Sequence, residues 1–117
     1  MYREEILDHY KNPRNEGTLD GLKQEGVNPS CGDNTTIYLE LERSEIKDVK
    51  HETDGCAIST AGISILSEEL PGMKVEDVLG KDREWMLDLM GVDVSPMRVK
   101  CAMLGLKTVQ KALEQTS

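Results

Sequence analysis

The chain has 117 residues, a formal net charge of −8 and 38% hydrophobic residues, which fits one compact soluble domain spanning residues 1–117 around a single core. The acidic balance excludes a phosphate-backbone partner, because nucleic-acid binding needs basic residues to displace counterions; a basic protein partner suits it better. No run approaches the ~18 apolar residues of a membrane span and no N-terminal apolar segment resembles a signal peptide. The expectation is a cytoplasmic protein with neither nucleic acid nor membrane among its partners.

With no Phe, one Trp (Trp85) and six Met, the core is aliphatic, with thioethers filling irregular gaps. In "REEILDHYK" (3–11), Ile6, Leu7 and Tyr10 stand at helical spacing, and Asn12-Pro13 stops the pattern. The segment "RNEGTLDGLKQEGVNPS" reads as irregular and the most mobile part, with a short strand at 22–27. "TTIYLELE" (35–42) alternates with Ile37, Leu39 and Leu41 on one face. "EIKDVKHET" follows a turn at Arg43-Ser44-Glu45 with a weaker alternation, so the pair predicts an antiparallel hairpin.

After Gly55, "CAISTAGISILSEELPG" predicts a helix with Cys56 in its first turn and Ile58, Gly62, Ile65, Leu66 and Leu70 on one face, stopped by Pro71-Gly72. Its acidic pair Glu68-Glu69 reads as solvated surface. Residues 75–79 predict a single helical turn, and "DREWMLDLMG" a helix capped by Asp82 and ended by Gly91. The last helix starts with Ser95 as cap and Pro96 at the first helical position. Val99, Met103, Leu106, Val109 and Leu113 line its buried face.

Three cysteines, Cys31, Cys56 and Cys101, are an odd number for a disulfide framework. In a reducing compartment they are buried fillers, metal ligands or nucleophiles. Each falls at the end of an element. Cys56, at a loop-to-helix junction, is placed for a helix N-terminus to favour its thiolate; Cys101 is a turn further in, so its activation would rest more on Arg98 and Lys100. Gly32 and Gly55 leave room beside Cys31 and Cys56 for a bulky group, or serve ordinary turns. Asp33 reads as a turn residue or as a ligand. A cysteine nucleophile with His9 or His51 as base is an alternative, though both histidines read as surface residues. A zinc hydrolase or deaminase lacks its paired-cysteine and histidine-glutamate signatures here.

"DHYKNPRNEG", "SCGD", "DGCAIS" and "VKCAMLGLKTVQKAL", in that order over nearly the whole chain, resemble the IscU-type iron–sulfur cluster assembly scaffolds, the NifU N-terminal-like family. The resemblance implies an α+β fold: a small three-stranded antiparallel sheet, helices packed on one side, and cysteines converging at one end. It implies a non-enzymatic scaffold on which a transient [2Fe–2S] cluster forms from sulfur handed over by a cysteine desulfurase and iron from an iron donor, and is passed to acceptor apoproteins. Cys31, Cys56 and Cys101 match the cluster thiolates, Asp33 the carboxylate after Cys-Gly, and Cys101 the persulfide acceptor, a role the Cys31 loop could share. A [2Fe–2S] unit takes four terminal ligands. The three thiols with Asp33 supply four, and a hard carboxylate leaves its corner exchangeable. A homodimer bridging or burying a cluster is compatible with this set.

Two departures stand out. Lys100 replaces the histidine that many members carry before the third cysteine, and an ammonium does not ligate near neutral pH. Val94-Ser95-Pro96-Met97-Arg98 replaces the Leu-Pro-Pro-Val-Lys segment that a dedicated chaperone recognises in bacterial members, leaving chaperone docking without its motif. The "RVKCA" string is also similar to the SufU-type relatives, which hold zinc through three Cys and the Asp and relay sulfur. The short Cys56–Cys101 interval resembles the branch without an insertion, which places the scaffold reading first and zinc-dependent relay second.

Overall fold

Residues 4–29 and 31–116 are described by the structure, a computed structural model. In chain order the elements are α1 (Glu4–Lys11), β1 (Leu22–Asn28), β2 (Asp33–Glu42), β3 (Glu45–Asp54), α2 (Ala57–Glu69), α3 (Val75–Leu79), α4 (Arg83–Met90) and α5 (Pro96–Glu114). The strands form one antiparallel sheet in the order β1-β2-β3. Alternation decides its inner face: Ile37 and Leu39 of β2 sit opposite His51 and Val49 of β3, and all four are buried. α2 and α5 cover that face, α1 packs on α2, and α3 and α4 lean on α5. The sheet is therefore three-stranded with its helices on one side.

Both strands flanking Cys31 run further than their hydrophobic pattern predicts. β1 continues through Asn28 and β2 begins at Asp33, because these two residues pair across the ladder. The loop between them is closed by the Asn28 carbonyl, which accepts the amides of Cys31 at 3.2 Å and Gly32 at 2.9 Å. Gly32 has φ +73°, a left-handed turn position that glycine adopts without strain. The β2–β3 turn is tighter than expected: Arg43 and Ser44 both lie at positive φ, 53° and 65°, with Glu42 and Glu45 paired around them.

Close approach sets the seam between sheet and helices. A Cβ on Gly26 of β1 would lie 1.9 Å from Thr108 Oγ1 of α5, so only glycine lets the strand sit this near. The expected caps hold in part. Asp82 accepts the Trp85 amide at 3.0 Å, and Gly91 ends α4 at φ +68°. Ser95 precedes Pro96 as expected, but its hydroxyl makes no capping bond. Cys56 is the N-cap of α2 rather than part of its first turn. No described helix is long and apolar enough to cross a membrane.

Two expectations about the surface are corrected. His9 is 5% exposed and His51 fully buried, because each has a polar partner inside. His9 Nδ1 meets Ser64 Oγ of α2 at 2.7 Å. His51 Nε2 donates to the Arg14 carbonyl at 2.8 Å, while Nδ1 meets Thr53 Oγ1 at 2.9 Å. α1 thus turns Ile6 and His9 inward and leaves Leu7 and Tyr10 exposed. The segment after α1, read as the most mobile, is irregular but tied down: the His51 amide donates to the Asn15 carbonyl and the Gly17 amide to the His51 carbonyl, at 3.0 and 2.9 Å.

Candidate metal centre

Three of the four residues singled out in the sequence converge. The Sγ atoms of Cys31 and Cys101 and a carboxylate oxygen of Asp33 all lie within 4.8 Å of one another. The two sulfurs are 3.6 Å apart. That is too long for a disulfide bond. It is close to the edge of about 3.8 Å expected for two sulfurs on one tetrahedral metal with bonds of about 2.3 Å. Each side chain arrives from a different element: Cys31 from the β1–β2 loop, Asp33 from the first position of β2, Cys101 from the second turn of α5.

Cys56 joins the site differently. Its amide donates to Asp33 Oδ1 at 3.0 Å, so the start of α2 fixes the carboxylate. Its Sγ meets Ser59 Oγ at 3.5 Å and interacts with the Cys101 thiol, but does not lie within 4.8 Å of all three donors of the compact group. Gly55 is required here, since a Cβ would lie 2.9 Å from Asp33 Oδ1. Asp33 itself is 2% exposed, and its second oxygen, Oδ2, is buried with no hydrogen-bond partner. A buried carboxylate oxygen without a donor is costly. Two thiols and such an oxygen at one point form a donor set that fits a soft or borderline cation such as zinc or iron.

Exposure separates the thiols. Cys31 is exposed, Cys56 half-buried and Cys101 buried. Burial pushes the Cys101 thiol well up, and the neighbouring Asp33 carboxylate, Cys31 and Cys56 add to this. This corrects the expectation that Arg98 and Lys100 activate it: both side chains are exposed on α5, while the buried sulfur faces Asp33, Cys31 and Cys56, which act on it in the opposite sense. For Cys56 burial acts upward most strongly and Asp33 adds to it, but hydrogen bonding with the Ser59 hydroxyl and amide and with the Cys101 thiol together holds the thiol below its ordinary value. The direction is the one expected of a thiol at a helix N-terminus, with the Ser59 amide as the N–H and the Ser59 hydroxyl and Cys101 thiol beside it.

Two residues at the site were not read from the sequence. Asn28, 6% exposed, directs Nδ2 at Cys101 Sγ across 3.8 Å. It also closes the Cys31 loop through its carbonyl, so one residue links the loop to α5. Its only sequence signal was membership of a turn. Ser59 was legible in principle, standing three residues after the N-cap, where a side chain meets the capping residue.

Residues 1–116 match the family model for the NifU-like N terminal domain. The chain is 35% identical over 131 residues to the zinc-dependent sulfurtransferase SufU of Bacillus subtilis (strain 168), covering 97% of this chain and 89% of that protein. It is 36% identical over 135 residues to the iron-sulfur cluster assembly scaffold protein IscU of Thermotoga maritima, covering 100% of this chain and 95% of the relative. The crystal structure of a putative iron-sulfur cluster assembly scaffold protein for the SUF system from Fervidobacterium islandicum AW-1 superposes with a TM-score of 0.80 at 34% identity, covering 96% of each chain. Both aligned stretches are longer than this chain. Extra residues thus occur in a SufU-named and an IscU-named relative alike. The fold, the ordered motifs and these likenesses make the chain a member of the NifU-like N-terminal domain family, the IscU/SufU type of iron–sulfur cluster scaffold.

Proposed function

We propose that the chain is a scaffold for a transient [2Fe–2S] cluster, built from sulfur delivered by a cysteine desulfurase and iron from an iron donor, and released to acceptor apoproteins. Cys31, Cys56, Cys101 and Asp33 are its ligands in this reading. The observation that carries it is the unpartnered, buried Asp33 Oδ2 beside two thiols 3.6 Å apart. Release is favoured by the mismatch of a hard oxygen with the cluster, which makes Asp33 the exchangeable corner.

Sulfur arrives as a persulfide. A thiolate of this chain attacks its outer sulfur, a new S–S bond forms, the old one breaks, and the desulfurase cysteine leaves as a thiolate. Exposure favours Cys31 as the first acceptor. Cys101, 3.6 Å behind it, receives the sulfur by the same exchange once its thiol has lost its proton, its sulfur attacking the outer sulfur on Cys31 and Cys31 leaving as a thiolate. Each sulfur then needs two electrons from a separate reductant to become sulfide.

A second reading, a zinc-holding sulfur relay, is supported by the same 3.6 Å spacing, which matches one tetrahedral ion, and by the compactness of the group without Cys56. Incubation without oxygen with a cysteine desulfurase, cysteine and ferrous iron separates the two. The scaffold reading expects a labile cluster that moves to an apo-acceptor and is lost in Cys31→Ser and Cys101→Ser. Tightly retained zinc, persulfide on the chain and no cluster would favour the relay.

A further inference from the structure

β1 is an outer strand with β2 as its partner, and among the described residues its far edge pairs with no strand. An open edge presents backbone N–H and C=O groups to any extended chain. A groove of about 810 Å³ follows that edge, between β1 and α5, and no β2 residue lines it. Residues 24–29, Gly26 among them, form its β1 wall, while Lys100, Leu104, Lys107 and Lys111 form the α5 side. Spacings of seven and four residues hold the three lysines to a stripe about 40° wide on a helix with 3.6 residues per turn. All three are exposed. Among the described residues the ion pairs involve His9, Arg14 and Lys47, and none of these lysines. One acid, Glu25, stands on the β1 side. On a chain of net charge −8, this groove is a local surplus of positive charge.

We propose that the groove receives an extended acidic segment of a partner protein, which adds to β1 as a fourth strand and sets alternate carboxylates against Lys107 and Lys111. Strand addition supplies main-chain hydrogen bonds, and side chains at every second position select the partner. A second copy of this chain is the poorer occupant, since β1-to-β1 pairing would bring two lysine rows side by side. One end of the groove adjoins the site: Asn28 lines it and reaches the buried Cys101 Sγ across 3.8 Å. That the segment belongs to a protein bringing sulfur or taking the cluster rests on the function proposed above; the groove and its charge do not.

The test is a titration of the full chain with a blocked peptide of about eight residues alternating glutamate and valine, followed by ¹⁵N–¹H spectra and hydrogen exchange. Expected are shifts confined to β1 and the lysine face of α5, slower exchange of β1 amides, and binding that weakens with salt and falls ~10-fold or more in K107E/K111E. A lysine–valine peptide is expected not to bind. The inference is overturned if the acidic peptide leaves β1 unmoved, if the lysine peptide binds equally, if salt and charge reversal leave the affinity unchanged, or if sedimentation finds a dimer closed through β1. The assay reads no thiol or metal, so its failure and a failure of cluster assembly are separate results.

Discussion

Asp33 uses its two oxygens differently: Oδ1 takes the Cys56 amide at 3.0 Å, while Oδ2 is buried without a donor. The first fixes the carboxylate and the second leaves it ready for a cation. If the proposed scaffold function holds, Asp33→Ala removes its exchangeable ligand, and cluster transfer to an acceptor apoprotein is expected to slow about tenfold, the scale on which substitutions around metal sites act. Equal transfer rates for variant and parent would reduce Asp33 to a turn residue. Asn28 acts from behind the thiols. An N–H aimed at a sulfur stabilises a thiolate and tunes what it holds. Asn28→Leu keeps the bulk and removes the donor, so zinc affinity measured by chelator competition is expected to fall about tenfold. A folded variant with unchanged affinity would show that Asn28 serves the loop alone.

At the scale of elements, the β2–β3 turn departs from local preference. Arg43 and Ser44 sit at φ 53° and 65°, where a residue with a Cβ is strained by about 1–2 kcal/mol. Replacing the pair by Asn-Gly, which favours this turn type, is expected to raise stability by about 1 kcal/mol, read from the urea midpoint. A lower midpoint would mean that the two side chains contribute more than their backbone strain costs. α1 and β3 carry a second liability. Burial holds His51 below its ordinary value of 6.5, with the Arg14 carbonyl and Glu16 acting upward and Lys50 downward. His9 is lowered as well, by burial and then Arg14, against Glu68. The unfolded chain therefore binds protons more readily. The stability that neutral histidines contribute is complete above about pH 6.5 and is lost as pH falls below it toward the folded-state values. Urea midpoints are expected to drop between about pH 7.5 and 5.5, and less so in His51→Gln. A flat profile in the parent would contradict the burial argument. These histidines also mark where sequence pattern fails. Strand alternation and the helix boundaries were legible from Ile37 and Leu39, from Gly91 at the end of α4 and from Pro96 at the start of α5, which act locally. The burial of His9 depends on Ser64, 55 residues away, and no local pattern reports that.

For the whole molecule, the site was legible as a list and not as a geometry. Cys31, Asp33, Cys56 and Cys101 could be picked out by their motifs. Only the fold shows that three donor atoms meet within 4.8 Å, that Cys56 contributes its amide to Asp33 while its sulfur turns to Ser59, and that Cys101 is buried rather than presented by Arg98 and Lys100. The β1–α5 groove was equally hidden. Lys100 was read as a basic neighbour of Cys101, but Lys107 and Lys111, seven and eleven residues further on, join it along one groove where Gly26 lets β1 approach Thr108. The lysine groove starts beside the thiols, at Asn28 and Lys100, and runs from there along β1 and α5. The most direct test is the visible spectrum, with iron, zinc and sulfide content, of protein prepared without oxygen after incubation with desulfurase, cysteine and iron. The expected result is about one [2Fe–2S] cluster per monomer or per dimer, with sulfide equal to iron. Tightly held zinc with neither iron nor sulfide would contradict it.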